Sequence, residues 1–372
     1  MKIGIDARLI EETGVGRYIR NLVKYLALLD GENQYVVFLR KQSWSTFTAF
    51  NARWRAVVAD VPWHSVTEQI VMPRLFIAER LDLVHIPYFN APVFYPGRYV
   101  VTIHDLTILH TKTGKATTLP MPLYALRRIG YHAVLRMGLL RASHIFTVSE
   151  TTKRELSERF SVAPQRITVT YEAVDDRILQ KGDAKRIVAN PYFLYVGNAY
   201  PHKNLERLVL AFDRLTRGRN IDRDLRLILV GKHDFFYRRL TSSIAERGLS
   251  ERIVLFGPAD DRELNALYRH AIAFVFPSLM EGFGLPALEA LAVGCPVLAS
   301  DIPVFREVFG QACQYFDPED ISALTGLLEQ TLRASVRGVQ PRKIRLPRTY
   351  SWKVLAEKTL SVYRSLSNEK SV

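Results

Sequence analysis

Residues Phe276-Pro277-Ser278-Leu279-Met280-Glu281-Gly282-Phe283-Gly284-Leu285-Pro286-Ala287-Leu288-Glu289-Ala290 follow an apolar run and open a helical pattern, Leu285–Ala292. Gly282 and Gly284 let the backbone come close to a ligand. Pro286 suits a first helical turn, where its missing N–H costs nothing. Free N–H groups at that helix start can hold a phosphate. Glu281 lies ahead of the helix and Glu289 one turn into it, so both carboxylates can face one cleft. Carboxylates accept hydrogen bonds from vicinal hydroxyls, and amides bind phosphate oxygens, so the stretch suits a sugar nucleotide. The plainer reading is an acidic helix start that favours the helix dipole.

Outward from this segment, short β-branched runs alternate with longer amphipathic stretches. Strands are predicted at Lys2–Asp6, Tyr35–Leu39, Leu83–Ile86, Tyr99–Ile103, His144–Val148 and Ile167–Thr170. A second series comprises Tyr192–Val196, Leu225–Val230, Ile253–Phe256, Ala271–Phe276 and Pro296–Ala299. Helical patterns include Gly16–Leu29, Thr152–Phe160, Asn204–Leu215, Asp261–His270, Ile321–Ala334 and Trp352–Leu366. This alternation predicts an α/β protein whose parallel sheets carry helices on both faces. The pattern begins twice, with a mixed-charge stretch from Asp175 to Asn190 read as the linker. We therefore predict two doubly wound domains, residues 1–180 and 190–349, with a last helix at about 350–372. Doubly wound sheets bind ligands beyond the carboxyl ends of their strands, which places the reaction in a cleft between two such sheets.

The Glu281–Glu289 segment resembles the Glu-x7-Glu motif of retaining family-4 glycosyltransferases, also called glycosyl transferases group 1. The resemblance runs from Thr13-Gly14-Val15-Gly16-Arg17-Tyr18 to the final Tyr350-Ser351-Trp352 helix. It implies the GT-B fold: two Rossmann-like domains, a central cleft, and a C-terminal helix that crosses back to the first domain. It further implies that Glu281 contacts donor-sugar hydroxyls and Glu289 the ribose, while the amides of Gly282, Phe283, Gly284 and Leu285 line the sugar and diphosphate.

Four other segments belong with this reading. Gly197-Asn198-Ala199-Tyr200-Pro201-His202-Lys203-Asn204 follows a strand and leads into a helix. Without a metal, charge developing on a diphosphate must meet protein cations, and Lys203 resembles the family's diphosphate lysine. The family's partner arginine is absent, and Asn198 stands near its place. Gly14 and Gly16 are read as a flexible turn near the donor, with Arg17 beside it. They lack the third glycine of a dinucleotide fingerprint, which argues against NAD. His104 and Asp105 end a strand, where the carboxylate next in sequence can tune the imidazole; in the family this histidine lies near donor sugar and acceptor. The plainer reading is that Asp105 caps the next turn. Gly257-Pro258-Ala259-Asp260-Asp261 resembles the base-binding loop. Tyr88 and Phe89 are placed on the acceptor side, and Ser149 is read as a helix cap.

The 372 residues carry 51 Lys and Arg against 37 Asp and Glu, a formal net charge of +14. Such a field favours anionic partners and says nothing of fold. No acidic residue falls between Asp105 and Glu150, a stretch with Lys112, Lys115, Arg127, Arg128, Arg136 and Arg141. A second acid-free run, Thr331 to Ala356, holds Arg333, Arg337, Arg342, Lys343, Arg345, Arg348 and Lys353. These runs suit an anionic membrane surface. No helix-turn-helix, zinc finger or aromatic RNA-binding motif accompanies the charge, so nucleic acid is not expected as a partner. Cys295 and Cys313 form neither a disulfide framework nor a zinc pattern. The start, Met1-Lys2-Ile3-Gly4-Ile5-Asp6, reads as a strand rather than a signal peptide, and no run approaches the roughly 20 apolar residues of a membrane span. A cytoplasmic protein is expected, with any membrane contact peripheral, on the inner face of the plasma membrane.

The sequence thus predicts a metal-independent enzyme without cofactor, using a nucleotide-sugar as substrate and keeping the anomeric configuration. Subfamily flavour favours GDP-mannose as donor, and a glycan or polyprenyl-diphosphate-linked glycan as acceptor. The alternatives are the same chemistry with a UDP-sugar, a GT-B epimerase of UDP-N-acetylglucosamine, against which the glutamate pair argues, and a basic nucleic-acid- or membrane-binding scaffold with a degenerate site.

Overall fold

The computed structural model describes residues 1–45, 47–110, 121–179, 185–218, 221–337 and 346–368. The chain divides into two units, Met1–Glu172 with Arg348–Val372, and Ala173–Pro347.

Unit 1 is built on seven strands: β1 (Lys2–Asp6), β2 (Gln34–Leu39), β3 (Trp54–Val58), β4 (Leu83–Ile86), β5 (Tyr99–Ile103), β6 (His144–Thr147) and β7 (Ile167–Val169). Its sheet order is β3-β2-β1-β4-β5-β6-β7, and the pairings are parallel. Its helices are α1 (Gly14–Leu29), α2 (Lys41–Trp44), α3 (Val66–Ala78), α4 (Thr107–His110), α5 (Met121–Arg141), α6 (Glu150–Phe160) and, from the far end of the chain, α13 (Trp352–Asn368). Strands such as β5 are buried along their whole length, which is why they read as unbroken apolar runs rather than alternating ones.

Unit 2 repeats the plan with β8 (Tyr192–Val196), β9 (Arg226–Val230), β10 (Ile253–Gly257), β11 (Ala273–Phe276), β12 (Val297–Ser300) and β13 (Gln314–Phe316) in the order β10-β9-β8-β11-β12-β13. Its helices are α7 (Leu205–Thr216), α8 (Phe235–Glu246), α9 (Asp261–His270), α10 (Leu285–Ala292), α11 (Pro303–Phe309) and α12 (Ile321–Val336). Carboxylates set several helix starts. Asp234 caps α8, Asp320 caps α12, and Asp260 forms a reciprocal capping box with Glu263 on α9. Of the Asp260-Asp261 pair, Asp260 therefore caps the helix and Asp261 opens it. The described part of the segment read as a linker is docked on unit 2. Ile178 is fully buried, its carbonyl accepts from the Asn265 amide, and Arg177 reaches Asp261 at 3.8 Å.

Helix α13 belongs to unit 1 because of its stripe. Trp352, Leu355, Ala356, Thr359, Leu360, Tyr363 and Leu366 are buried at helical spacing, and the helix packs on α1. Tyr363 continues inward as a chain of polar groups. Its hydroxyl meets Nδ1 of His85 at 2.5 Å, Nε2 of His85 meets the Thr102 hydroxyl at 2.7 Å, and that hydroxyl meets Tyr18 OH at 3.0 Å. All four residues are fully buried, so each contact satisfies a group that water cannot reach. Among the described residues no helix is long and apolar enough to cross a membrane.

Burial, and secondarily the neighbouring His104, pushes the His85 imidazole down from 6.5 to about 3. Its neutral form therefore contributes stability that is complete above the unfolded value and is lost as pH falls through the window between them, by at most about 1.4 kcal/mol per pH unit. Urea unfolding at pH 7 and pH 5 tests this. Wild-type protein should lose more stability between the two than His85→Gln, by about 2 kcal/mol; equal losses would contradict it.

Candidate functional site

The site in unit 2 forms where its strand order reverses. Strands β8 and β11 are parallel neighbours, and the connections leaving them run to opposite sides, so the loops beyond their carboxyl ends part and leave a crevice. Two contacts tie these loops together. The Leu279 N–H donates to the His202 carbonyl at 2.8 Å, and the Asn204 amide donates to the carbonyls of Pro277 (3.0 Å) and Pro318 (2.8 Å). Asn204 takes a left-handed backbone, φ 61°, which ends the short turn Pro201–Lys203 and starts α7.

These loops bring Lys203 and Glu281 together. The Lys203 ammonium lies 2.5 Å from Glu281 Oε1, and both side chains are largely withdrawn from solvent, 14% and 12% exposed. The Ser278 hydroxyl donates to the same oxygen at 2.7 Å. The ammonium also sits 5.9 Å from the centre of the Phe276 ring. Glu289 points from α10 into a buried setting, where Tyr268 OH donates to Oε2 at 3.1 Å. Phe283 and Leu285 are buried.

Gly284 is the N-cap of α10, with no side-chain cap bond and Pro286 in the first turn. Its φ is +103°, and a Cβ there would lie 2.8 Å from the Phe309 ring and 3.1 Å from Phe305. The residue must be glycine for packing as well as for backbone conformation. Nearby, the loops after β8, β9 and β10 close on one another. Gly231 donates to the Gly257 carbonyl at 3.0 Å, and a Cβ on Gly231 would collide with the Gly197 carbonyl. Gly257 has φ +88° and ends β10 at a register shift. The Asn198 carbonyl accepts from Tyr195 OH at 2.7 Å, and its side-chain oxygen accepts from the Tyr200 N–H at 3.4 Å. Asn198 is thus engaged in shaping its own loop.

In unit 1, His104 stands beyond β5. Its Nε2 lies 3.1 Å from the Pro87 carbonyl, its Nδ1 lies 3.4 Å from Glu172 Oε1, and Tyr18 meets the ring edge-on at 4.8 Å. The carboxylate beside this imidazole is therefore Glu172, distant in sequence, and not Asp105. Asp105 instead accepts the Thr107 N–H at 2.8 Å as a turn cap. Gly14 and Gly16 also differ from expectation. They lie inside α1 rather than in a flexible turn, and Gly16 is required because a Cβ would lie 2.5 Å from the Ile10 carbonyl oxygen. Arg17 is half-buried on the same helix. Ser149 caps α6, its hydroxyl accepting from the Thr152 N–H.

Arg127, Arg128 and Arg136 lie on α5, which also exposes Leu123, Leu126, Ile129, Met137 and Leu140. Lys112, Lys115, Arg342, Lys343 and Arg345 lie outside the described residues. Among the described residues no three His, Cys, Asp or Glu side chains gather as a metal-ligand set. Sequence reasoning missed Ser278, Tyr268 and Glu172 as partners of the candidate groups. Ser278 stood inside the quoted motif; nothing local marks the other two.

Known proteins share this architecture. Residues 13–177 match the family model Glycosyltransferase Family 4, and residues 178–342 match Glycosyl transferases group 1. The chain is 29% identical to the O-antigen chain mannosyltransferase RfbU of Salmonella typhimurium over 59% of its own length and 57% of that protein's. It is also 29% identical to O-antigen chain mannosyltransferase B of Escherichia coli, over 95% of this chain and 96% of that one. Among solved structures, sucrose-phosphate synthase from Thermosynechococcus elongatus superposes with a TM-score of 0.77 at 20% identity, covering 99% and 100% of the two chains. Anabaena HepE, solved with UDP and glucose, gives 0.68 at 14% identity, covering 100% and 99%. With matched domains in both halves and a GT-B architecture throughout, the chain belongs to the group 1, family 4 glycosyltransferases.

Proposed function

We propose that the protein transfers a hexose, mannose in first place, from GDP-mannose to a glycan or polyprenyl-diphosphate-linked glycan, with retention of configuration. The observation that carries this reading is the meeting of Lys203 and Glu281 at the strand reversal of unit 2. A cation and a carboxylate side by side are what a sugar diphosphate needs: one group for phosphate charge, one for hydroxyls. The sugar is favoured by the two relatives named as O-antigen mannosyltransferases. A UDP-sugar donor is the second reading, favoured by the solved neighbour that holds UDP and glucose.

In this mechanism the bond from the sugar's C1 to the diphosphate oxygen breaks while the acceptor hydroxyl oxygen bonds C1 from the same face. The acceptor proton passes to an oxygen of the leaving phosphate. Lys203 stabilises the charge on that diphosphate, so the chemistry runs without a metal or other cofactor. Glu281 orients the sugar through its hydroxyls, and Glu289 takes the ribose. His104 lies with the acceptor hydroxyl, steadied by Glu172. Helix α5, with arginines among exposed apolar residues, rests on an anionic membrane surface at the cytoplasmic face, where a lipid-linked acceptor is held.

A thermal-shift panel of GDP, UDP, ADP and TDP, followed by their sugar conjugates, tests the donor. GDP and GDP-mannose should stabilise the protein most, and a UDP preference would select the second reading. Lys203→Ala should lower kcat by roughly 10²–10³-fold, the scale of one lost transition-state donor. Glu281→Ala should abolish transfer with the fold intact by circular dichroism. Wild-type turnover in both variants would overturn the assignment. Flotation with liposomes should show binding only when anionic lipid is present, and Arg127→Glu with Arg128→Glu should weaken it. Absence of binding to either liposome would end the membrane reading.

A further inference from the structure

The ties between the loops after β8 and β11 bracket one residue on each side. The Leu279 N–H donates to the His202 carbonyl at 2.8 Å, and the Asn204 side-chain amide donates to the Pro277 carbonyl at 3.0 Å. Ser278 lies between Pro277 and Leu279, and Lys203 lies between His202 and Asn204. Each bracketed residue is therefore held against the other, and both side chains reach one atom. Lys203 Nζ lies 2.5 Å from Glu281 Oε1, and Ser278 Oγ lies 2.7 Å from the same oxygen.

A carboxylate oxygen offers two lone pairs, so Oε1 has both engaged. The carboxylate cannot donate, so the Ser278 hydroxyl gives its proton to Oε1. Ser278 is fully buried, and bulk water does not compete for that proton. Most side-chain hydrogen bonds in proteins go to backbone or water, and a backbone carbonyl would satisfy this hydroxyl equally well. Here the bond goes to a charged side chain in the crevice and staples the loop from Ser278 to Glu281 across three positions.

The ion pair alone does not fix the glutamate. The last torsion of a glutamate side chain is broad, with two nearly equivalent settings. An ammonium is a point charge on a flexible stem and can be shared between both oxygens. A second donor from the glutamate's own loop removes that freedom. With Oε1 held from two directions, Oε2 has one setting, and among the described residues no protein group hydrogen-bonds it. The Glu281 side chain keeps 12% of its surface exposed, so the carboxylate is not sealed from a ligand. Lys203 gains as well. One of its three N–H groups is committed to a fixed oxygen, and two remain for phosphate.

We propose that Ser278 is a positioning residue: it locks Glu281 so that Oε1 stays with Lys203 and Oε2 is reserved for hydroxyl groups of the transferred sugar. That the ligand is a sugar rests on the glycosyl-transfer reading; that Ser278 sets the carboxylate does not. Binding sites keep their geometry when such supporting hydrogen bonds lock the side chains that touch the ligand.

Titration calorimetry on the full chain, with GDP and GDP-mannose and with UDP and UDP-glucose, reads the sugar's part of binding as the difference within each pair. In the pair that binds, Ser278→Ala should weaken the sugar nucleotide by roughly tenfold, the scale of one hydrogen bond to a charged group, and leave the bare nucleotide within about twofold. The bare nucleotide also reports an intact fold. In a Glu281→Ala background, Ser278→Ala should have no further effect, because a positioning residue acts only through the group it positions. A crystal structure of the ligand-free Ser278→Ala chain should show the Glu281 carboxylate turned from its wild-type setting or spread over several. An unchanged affinity for the sugar nucleotide, equal weakening of both members of the pair, an undiminished effect in the Glu281→Ala background, or a carboxylate unmoved by Ser278→Ala overturns the proposal. A wild type that binds neither pair counts against the transfer reading, and the crystal structure still decides the role of Ser278.

Discussion

A parallel strand cannot turn straight back onto its neighbour, so each connection in this protein must cross a face of the sheet before the next strand begins. Both sheets start in their interior, at β1 and at β8, and the chain winds first to one side and then to the other. At the single place in each sheet where the direction changes, the loops must diverge. Backbone topology alone creates that gap, before any side chain is chosen. What differs between the two units is what the sequence puts there.

In unit 2 the gap receives a lysine and a glutamate on neighbouring loops, and the supports around them explain why they meet. The Asn204 side-chain amide and the Leu279 backbone N–H bind the two loops to each other, Ser278 shares the carboxylate oxygen with Lys203, and Gly284 lets α10 start against Phe305 and Phe309. Both charged side chains are mostly withdrawn from solvent, where the attraction is stronger than on an open surface. In unit 1 the corresponding gap carries Arg8, buried and paired with both Asp6 and Glu68. One reversal thus holds a lysine–glutamate pair and the other an arginine set between two carboxyl groups, although both arise from one topology.

The alternation of strands and helices was legible because the central strands are buried on both faces and read as apolar runs. The elements that escaped notice have physical reasons. Strand β3 is a sheet edge with mixed exposure, and β13 is a three-residue edge. Helix α3 carries Pro73 and lacks a one-sided apolar stripe, and α11 is only seven residues long. At the candidate site, Glu281 and Lys203 were visible because each sits in a glycine-bearing loop after a strand. Their direct contact was not, since it joins segments 78 positions apart. Glu172 was hidden for the same reason, and Asp105 was misread because closeness in sequence stood in for closeness in space. The Asp6–Arg8–Glu68 network left no local signature: Asp6 closes a predicted strand, Arg8 lies two residues beyond it, and Glu68 sits in α3, a helix that was itself overlooked.

The return of α13 to unit 1 has a consequence for biogenesis. The first unit to be translated lacks a wall of its core, the face closed by Trp352, Leu360 and Tyr363, until the last helix has left the ribosome. Unit 2 is contiguous in sequence and has all its strands earlier. The domain begun first is therefore completed last, and until then Tyr18, His85 and the inner face of α1 stand open to chaperones or to mispairing with a neighbouring nascent chain.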